Sequence, residues 1–250
     1  MSLLIKKILI KVRSLVFSLH SQNKPEPHSV VGGVDIDKLS QEASEYLKTF
    51  YIEVVKKYCE IDTDYLIARC KTLEQIKYAE RILGEHYRIL PAIAQAGKVK
   101  KVVEIGSATG MSAIQLRHYG LKVTCFDIFE WDSIENSLLT VSDFSDGNLE
   151  WIVEDLSNYT AFETYTNLLE NADLIFIDAP KDGIFEYCLI PKLMKLQYNN
   201  PFAMLVIDDI NFHNMKDLWH SIGPGRIDFT FLGHVSGTGV VFPKFCVTLS

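Results

Sequence analysis

A glycine-containing turn is the first part of this 250-residue chain whose composition and spacing could do chemistry. The turn Gly106-Ser-Ala-Thr-Gly110 follows a short run of mostly β-branched residues. Glycine lets the backbone approach a ligand closely, and the N–H groups that open a following helix attract an anionic group. The spacing differs from the G-x-G-x-x-G of dehydrogenases that bind a pyrophosphate, so a zwitterionic amino acid group suits this turn better. A tight strand-to-helix turn without a ligand is the alternative interpretation.

Acidic residues further along the chain could bind the rest of a nucleoside-containing ligand. Asp127 ends the second predicted strand, where a carboxylate can accept hydrogen bonds from both hydroxyls of a ribose. Glu154 and Asp155 end the third predicted strand, within reach of an adenine amino group. Each acid taken alone is equally well explained as a solvated loop residue. Their combination with the glycine turn favours a binding site.

The elements that must position these residues alternate between short apolar strands and helices. The predicted strands are Lys101–Ile105, Lys122–Phe126, Leu149–Val153, Leu174–Ile177 and Ala203–Ile207. The predicted helices between them are Ser112–Tyr119, Ser133–Val141, Tyr159–Glu170 and Ile184–Leu196. This β-α-β-α order predicts an α/β fold with a parallel sheet that helices cover on both faces. The C-terminal part predicts an antiparallel hairpin, with strands Asp228–Leu232 and Val240–Phe242.

All five predicted parallel strands end in a glycine turn or in acidic residues. The residues at these ends are Gly106, Asp127, Glu154-Asp155, Asp178 and Asp208-Asp209. In open parallel sheets, ligands bind outside the carboxyl ends of the strands. The sequence therefore predicts a ligand site at this edge of the sheet.

The chain divides into three predicted regions: a basic amphipathic helix with a linker (1–38), a helical cap (39–98) and the α/β domain (99–250). In the segment 2–20, lysines alternate with apolar residues at helical spacing, and the longest uncharged stretch is too short to span roughly 30 Å of hydrocarbon. Two interpretations stay open. The helix packs on the rest of the chain or on a second copy in a homo-oligomer, or it lies peripherally on a membrane surface.

The charge and the cysteines exclude several classes of protein. The net charge is −7, and the first 25 residues carry five basic residues and no acid, so the rest of the chain is more acidic still. Such a body repels a phosphate backbone, which excludes nucleic acid as a substrate. The five cysteines are scattered and form no C-x-x-C pair, a pattern typical of reduced thiols in the cytoplasm.

Three segments of the chain resemble the small-molecule O-methyltransferases related to catechol and caffeoyl-coenzyme A O-methyltransferases. They are Glu104–Ser112, Asp173–Asp182 and Leu205–Asp209, within a stretch from about Tyr78 to Pro243. The resemblance implies a Rossmann-like class I methyltransferase sheet behind a helical N-terminal extension, and methyl transfer from S-adenosylmethionine to a hydroxyl. The segment 232–239 resembles a bacterial branch associated with glycans and secondary metabolites, so the implied acceptor is a small molecule or a glycan.

The resemblance also implies roles for individual residues. The implied cofactor-binding residues are Glu104, Gly106, Ser107, Ala108, Gly110, Ser112, Asp127, Glu154, Asp155 and Asp178. Asp178, Asp208 and Asp209 would hold Mg²⁺, an ion that prefers oxygen ligands. Lys181, three residues after Asp178, would be the general base that takes the proton of the acceptor, provided that its pKa is lowered.

Asp209 departs from the family pattern, which usually has asparagine at this position. Three carboxylates around one Mg²⁺ leave a formal charge of −1, where the family pattern leaves zero. Asp209 therefore either lies outside the ligand set or accompanies a different base, for which His213 is the candidate. Two alternative functions stay open: a catalytically inactive module that binds the cofactor, and an NAD-dependent oxidoreductase, which would lack its usual glycine fingerprint.

Overall fold

The computed structural model describes residues 39–80, 86–182, 184–232 and 236–246. Its helices are α1 (Gln41–Tyr58), α2 (Asp64–Arg69), α3 (Leu73–Glu80), α4 (His86–Ala96), α5 (Met111–His118), α6 (Tyr159–Glu170), α7 (Phe185–Leu193) and α8 (His213–Ser221). Its strands are β1 (Lys101–Ile105), β2 (Lys122–Asp127), β3 (Leu149–Val153), β4 (Leu174–Ile177), β5 (Met204–Asp208), β6 (Arg226–Asp228) and β7 (Thr238–Val241). The predicted helix at 2–20 lies outside the described residues, as does the side chain of His213.

The strands of the described residues form one seven-stranded sheet in the order β3-β2-β1-β4-β5-β7-β6. Strands β1 to β5 are parallel to their neighbours within this group, and β7 runs antiparallel to both β5 and β6. The five parallel strands match the predicted bounds to within one residue. The predicted α/β fold, a parallel sheet with an antiparallel C-terminal part, is confirmed.

The middle of the sheet is apolar because other strands and helices surround it. Every residue of β4 and of β5 is buried, which explains why these strands are nearly continuous apolar runs. The strand order reverses between β1 and β4. In open parallel sheets the segments that follow two such strands diverge, and ligands bind in the crevice at their carboxyl ends. The sheet still pairs tightly there, since the Asp178 amide donates to the carbonyl of Ile105 at 2.9 Å.

The N-terminal helices pack against the sheet through aromatic side chains. On α1, Tyr46 stacks on Phe202 with 4.6 Å between ring centroids, and Phe50 meets the Phe242 ring edge-on at 5.0 Å. Such pairs add stability beyond the area that they bury. Helix α1 also packs along α4, whose first residue is His86. None of the helices in the described residues is long and apolar enough to cross a membrane.

The predicted helix Ser133–Val141 is wrong. The chain forms turns at 133–136 and has no regular structure at 137–140, and a short 3₁₀ helix, Val141–Phe144, follows. The guanidinium of Arg69 donates to both carboxylate oxygens of Asp143, at 3.1 and 2.7 Å, and to the carbonyl of Leu138 at 2.8 Å. Bonds from a distant helix therefore hold this segment in a conformation that its local helical pattern did not predict.

The predicted C-terminal hairpin is correct in its antiparallel pairing and wrong in its bounds. The first strand is β6, and the segment Thr230–Leu232, predicted as strand, is a 3₁₀ turn. The Asp228 carboxylate accepts a hydrogen bond from the Thr230 amide at 2.7 Å, so the chain turns directly after the strand. The second strand is β7, which lies between β5 and β6 in the sheet.

Candidate active site

Two glycines of the turn after β1 have backbone angles that other residues rarely adopt. The φ angle is 87° at Gly106 and 78° at Gly110. A Cβ atom on Gly106 would lie 2.2 Å from the carbonyl oxygen of Asp178, and one on Gly110 would lie 2.7 Å from Cγ of Leu139. Only glycine fits both positions without displacing its neighbours. At Gly106 and Gly110 the turn therefore exposes backbone without a side chain at the carboxyl ends of β1 and β4.

Asp127, the predicted ribose ligand, holds this turn in place. Its Oδ2 accepts hydrogen bonds from the backbone amides of Ser107 at 3.1 Å and Ala108 at 2.9 Å, and its Oδ1 accepts one from Phe129 at 3.1 Å. A carboxylate offers about four acceptor positions, so roughly one remains for a ligand hydroxyl. Asp127 therefore fixes the conformation of the turn and keeps about one acceptor position for a ligand.

Glu104 and Ser112, two predicted cofactor-binding residues, contact each other inside the protein. The hydroxyl of Ser112 donates to Oε1 of Glu104, and the thiol of Cys125 donates to Oε2 at 3.5 Å. The Glu104 side chain has no exposed surface. Burial raises the pKa of Glu104, the Ser112 hydrogen bond opposes this rise, and the nearby charge of Asp178 adds to it, so that the pKa lies at about 7. Through Ser112, Glu104 thus links β1 to the start of the helix that follows the glycine turn.

Glu154 and Asp155 lie directly after the end of β3 and are exposed, and their contact with an adenine stays a prediction. Asp155 Oδ1 accepts a hydrogen bond from the Ser157 amide at 2.8 Å, which leads the chain into α6. Beside them lies an apolar surface that the sequence analysis missed: the side chains of Ile128 and Phe129 are 62% and 59% exposed. Their position directly after the Asp127 strand end was the available signal. A flat purine ring would find apolar contact here.

Lys181 and the strand-end carboxylates form a charged cluster on the other side of the crevice. Lys181 Nζ lies 2.6 Å from Asp178 Oδ1, 2.8 Å from the carbonyl of Ala179 and 3.7 Å from Asp209 Oδ2. Lys181 and Asp209 both have left-handed backbone angles, with φ of 57° and 59°. Such conformations are costly for residues other than glycine and are common at functional sites. The structure thus brings together the predicted base and two of the predicted metal ligands.

His86 also lies in this cluster, although no motif in the sequence pointed to it. Its Nε2 is 3.8 Å from Asp178 Oδ2, and its Nδ1 is 3.5 Å from Asp208 Oδ2. It comes from the first turn of α4, in the region predicted only to pack as a helical cap. The helical pattern gave no signal for this contact, because the separation in sequence between His86 and the two acids is large.

The beginning of β7 and the residues just before it complete the surroundings of the two adjacent acids. The hydroxyl of Thr238 donates to Asp208 Oδ1 at 3.1 Å, and the hydroxyl of Ser236 donates to Asp209 Oδ1. His213 is the first residue of α8, four residues after Asp209, and its proposed role as a base stays a prediction.

The charges of the cluster oppose one another. Burial raises the pKa of Asp178, and repulsion from Asp208 raises it further, while Lys181 and His86 act in the opposite direction. Burial lowers the pKa of Lys181, but the carboxylates of Asp178, Asp208 and Asp209 outweigh burial, so that this pKa lies above its usual value. A general base needs a pKa near the working pH. In this arrangement Lys181 is therefore an ammonium ion that holds the carboxylates.

No family model and no curated protein matches this chain. Solved structures do match. The chain is similar to a methyltransferase from Geobacter sulfurreducens, with a TM-score of 0.51 and 15% identity over 76% of this chain and 96% of that one. It is also similar to the O-methyltransferase TomG from Streptomyces achromogenes, with a TM-score of 0.48 and 15% identity over 79% of this chain and 98% of that one. TomG is involved in tomaymycin synthesis and was solved in complex with S-adenosylmethionine.

The chain has a methyltransferase fold. This confirms the fold that the resemblance predicted, and at such identities it establishes the fold alone. Within the methyltransferase fold, the glycine turn and the apolar surface of Ile128 and Phe129 lie on one side of the crevice. The cluster of His86, Asp178 and Asp208 lies on the other. One side can therefore bind a nucleoside with an amino acid group, and the other can orient a polar acceptor.

Proposed function

We propose that the chain is an S-adenosylmethionine-dependent O-methyltransferase that acts on a hydroxyl of a small molecule or a glycan. One observation carries the proposal: the glycine turn and the acidic cluster meet at the point where the strand order reverses. The Gly106 backbone abuts the carbonyl of Asp178 so closely that no side chain fits between them. A sulfonium methyl bound over the turn would therefore lie beside an acceptor bound at the cluster.

Each part of the crevice has a task in this reaction. The backbone amides after β1 would bind the methionine part, Asp127 would keep them in place, and Ile128 and Phe129 would contact the adenine. As the acceptor oxygen bonds to the methyl carbon, the carbon–sulfur bond breaks, S-adenosylhomocysteine leaves, and the hydroxyl proton passes to a base. Positioning of this kind supplies much of the rate acceleration in a group transfer.

Asp178 and Asp208 would hold a divalent cation, which would offset their charge and orient the acceptor oxygen. The donor set fits such an ion, because the two carboxylates lie with His86 in one group. Burial by itself lowers the pKa of Lys181. Lys181 would take the hydroxyl proton at Nζ if a bound cation offset the carboxylate charges that raise its pKa. The resemblance names Mg²⁺ as the ion and Asp209 as a third ligand.

Ligand binding separates this function from the oxidoreductase. S-adenosylhomocysteine should raise the unfolding temperature of the full chain, because a ligand at a hundred times its Kd adds about 2.7 kcal/mol to the free energy of unfolding. NAD⁺, which should not bind, should leave the unfolding temperature unchanged. Stabilisation by NAD⁺ alone would contradict the proposal.

Turnover separates the enzyme from an inactive binding module. A panel of hydroxylated acceptors with methyl-labelled cofactor should give labelled product. Asp208→Asn should reduce turnover by at least about a hundredfold with little change in affinity for S-adenosylhomocysteine, because the carboxylate acts on the acceptor side. Asp217→Asn, an exposed position on α8, is the matched control. Equal turnover in the two variants would show that the acidic cluster has no part in the reaction.

A further inference from the structure

Three side chains at the carboxyl ends of β4 and β5 form a compact group with metal-ligand chemistry. One ring nitrogen of His86 and one oxygen each of Asp178 and Asp208 all lie within 4.8 Å of one another, among the residues that the structure describes. The side chains of His86 and Asp208 are only 7% and 3% exposed. The Asp178 side chain is 30% exposed. The buried carboxylate of Asp208 and the half-buried carboxylate of Asp178 repel each other, so the group favours a cation between them.

The separations within the group suit a shared ion. Nitrogen and oxygen ligands lie about 2.1 Å from a dication of this size, which places neighbouring ligands about 3.0–3.4 Å apart in tetrahedral or octahedral geometry. The His86 Nδ1 atom lies 3.5 Å from Asp208 and the Nε2 atom 3.8 Å from Asp178. One nitrogen and one oxygen of each acid lie within 4.8 Å of one another, so a closure of about 1 to 2 Å around an ion reaches that geometry. Only one ring nitrogen can bind the ion. The other ring nitrogen then faces the second carboxylate of the group, Asp178 for Nε2 or Asp208 for Nδ1.

Asp209, which the resemblance names as the third ligand, faces different partners. Its Oδ1 accepts the hydrogen bond of Ser236, and its Oδ2 lies 3.7 Å from Lys181 Nζ. These contacts place Asp209 beside Lys181 and Ser236, outside the ligand set of His86, Asp178 and Asp208.

We propose that His86 is a direct ligand of the cation together with Asp178 and Asp208, and that this site takes a first-row transition-metal dication in preference to Mg²⁺. Imidazole nitrogen is a good ligand for such metals, whereas Mg²⁺ prefers an all-oxygen set. Asp209 is a positioning residue that holds Lys181. This proposal rests on the proposed function, because it identifies the ion of the same crevice, but ion binding can be measured without turnover.

Electron paramagnetic resonance of Mn²⁺ added alone to the full chain tests the ligand directly. A histidine nitrogen bound to Mn²⁺ gives an echo modulation from ¹⁴N, which should be present in the unaltered chain and absent in His86→Gln. The Kd for Mn²⁺ should rise at least tenfold in that variant. Mg²⁺ should compete at least tenfold more weakly than Mn²⁺ in the unaltered chain, and this ratio should fall towards one in His86→Gln. His220→Gln, at an exposed position of α8, is the matched control and should keep the modulation.

Several results would overturn the proposal: no binding of Mn²⁺, binding without nitrogen modulation, or modulation that survives in His86→Gln and is lost in His213→Gln. If His86→Gln does not fold by circular dichroism, His86→Asn repeats the test. Labelling the unaltered chain with ¹⁵N-histidine must also convert the ¹⁴N modulation to that of ¹⁵N. A chain that binds S-adenosylhomocysteine but not Mn²⁺ refutes this proposal and leaves the methyltransferase function standing. A chain that binds Mn²⁺ through His86 but not S-adenosylhomocysteine does the reverse.

Discussion

The contact between Gly106 and Asp178 allows a prediction in which two glycines are compared. Both Gly106→Ala and Gly120→Ala place alanine at a positive φ, 87° in one case and 81° in the other. That strain costs about 1–2 kcal/mol in either variant. A Cβ at Gly120 meets nothing within 4 Å, whereas a Cβ at Gly106 would lie 2.2 Å from the Asp178 carbonyl oxygen. The difference between the two variants therefore isolates the effect of the close approach.

The magnitude follows from the overlap. A carbon and a carbonyl oxygen pack at about 3.3 Å, so the end of β4 must move by about 1 Å to accept the new methyl group. Overpacking of this kind costs about 1–3 kcal/mol. We expect Gly106→Ala to lose about 2–5 kcal/mol of unfolding free energy and Gly120→Ala about 1–2 kcal/mol. Because the displaced residue is Asp178, affinity for S-adenosylhomocysteine should also fall at least about tenfold in Gly106→Ala alone.

Urea denaturation gives the two unfolding free energies, and titration calorimetry of the folded variants gives the two affinities. Both variants should retain the circular dichroism spectrum of the unaltered chain at low urea. Equal stability losses, within about 0.5 kcal/mol, together with unchanged ligand affinity would refute the view that the turn and the β4 end form one closely packed site.

Three further predictions concern the support of this site. The pKa of Glu104 is raised to about 7 from 4.5, so between these pH values Glu104 loses its proton in the unfolded chain before it does so in the folded one. The free energy of unfolding should therefore fall by up to about 3 kcal/mol as the pH rises through this window. Urea denaturation at several pH values measures this dependence, and Glu104→Gln should flatten it. Asp127→Ala should lower affinity for S-adenosylhomocysteine about tenfold in calorimetry, because two amides of the turn lose their acceptor; unchanged affinity would show that the turn keeps its shape alone. Deletion of residues 1–22 should leave the affinity for S-adenosylhomocysteine unchanged and alter the oligomeric mass or the binding to lipid vesicles. If the shortened chain folds but loses its affinity for S-adenosylhomocysteine, the domain boundary lies elsewhere.

The local pattern of the sequence was enough to predict the sheet. Strands such as Leu174–Ile177 are short apolar runs bounded by polar residues, and burial between neighbouring strands requires that composition. The side of the sheet at which Asp127, Asp178 and Asp208 lie was also predictable, because parallel strands all end at one edge. Local reasoning failed for the segment 133–141, where contacts with a distant helix override the helical pattern.

Only the tertiary structure decided which groups meet across that edge. His86 reaches Asp178 and Asp208 because α4 packs beside the sheet, and no spacing within the sequence encodes that approach. Adjacent residues also separate there: Asp208 faces His86, while Asp209, at a left-handed backbone angle, faces Lys181 and Ser236. Sequence determines the order of side chains along an element, but the direction of a side chain at a strand end depends on the packing of several elements at once. The chemistry of the crevice was therefore visible in the residue types, and its ligand geometry was visible only in the fold.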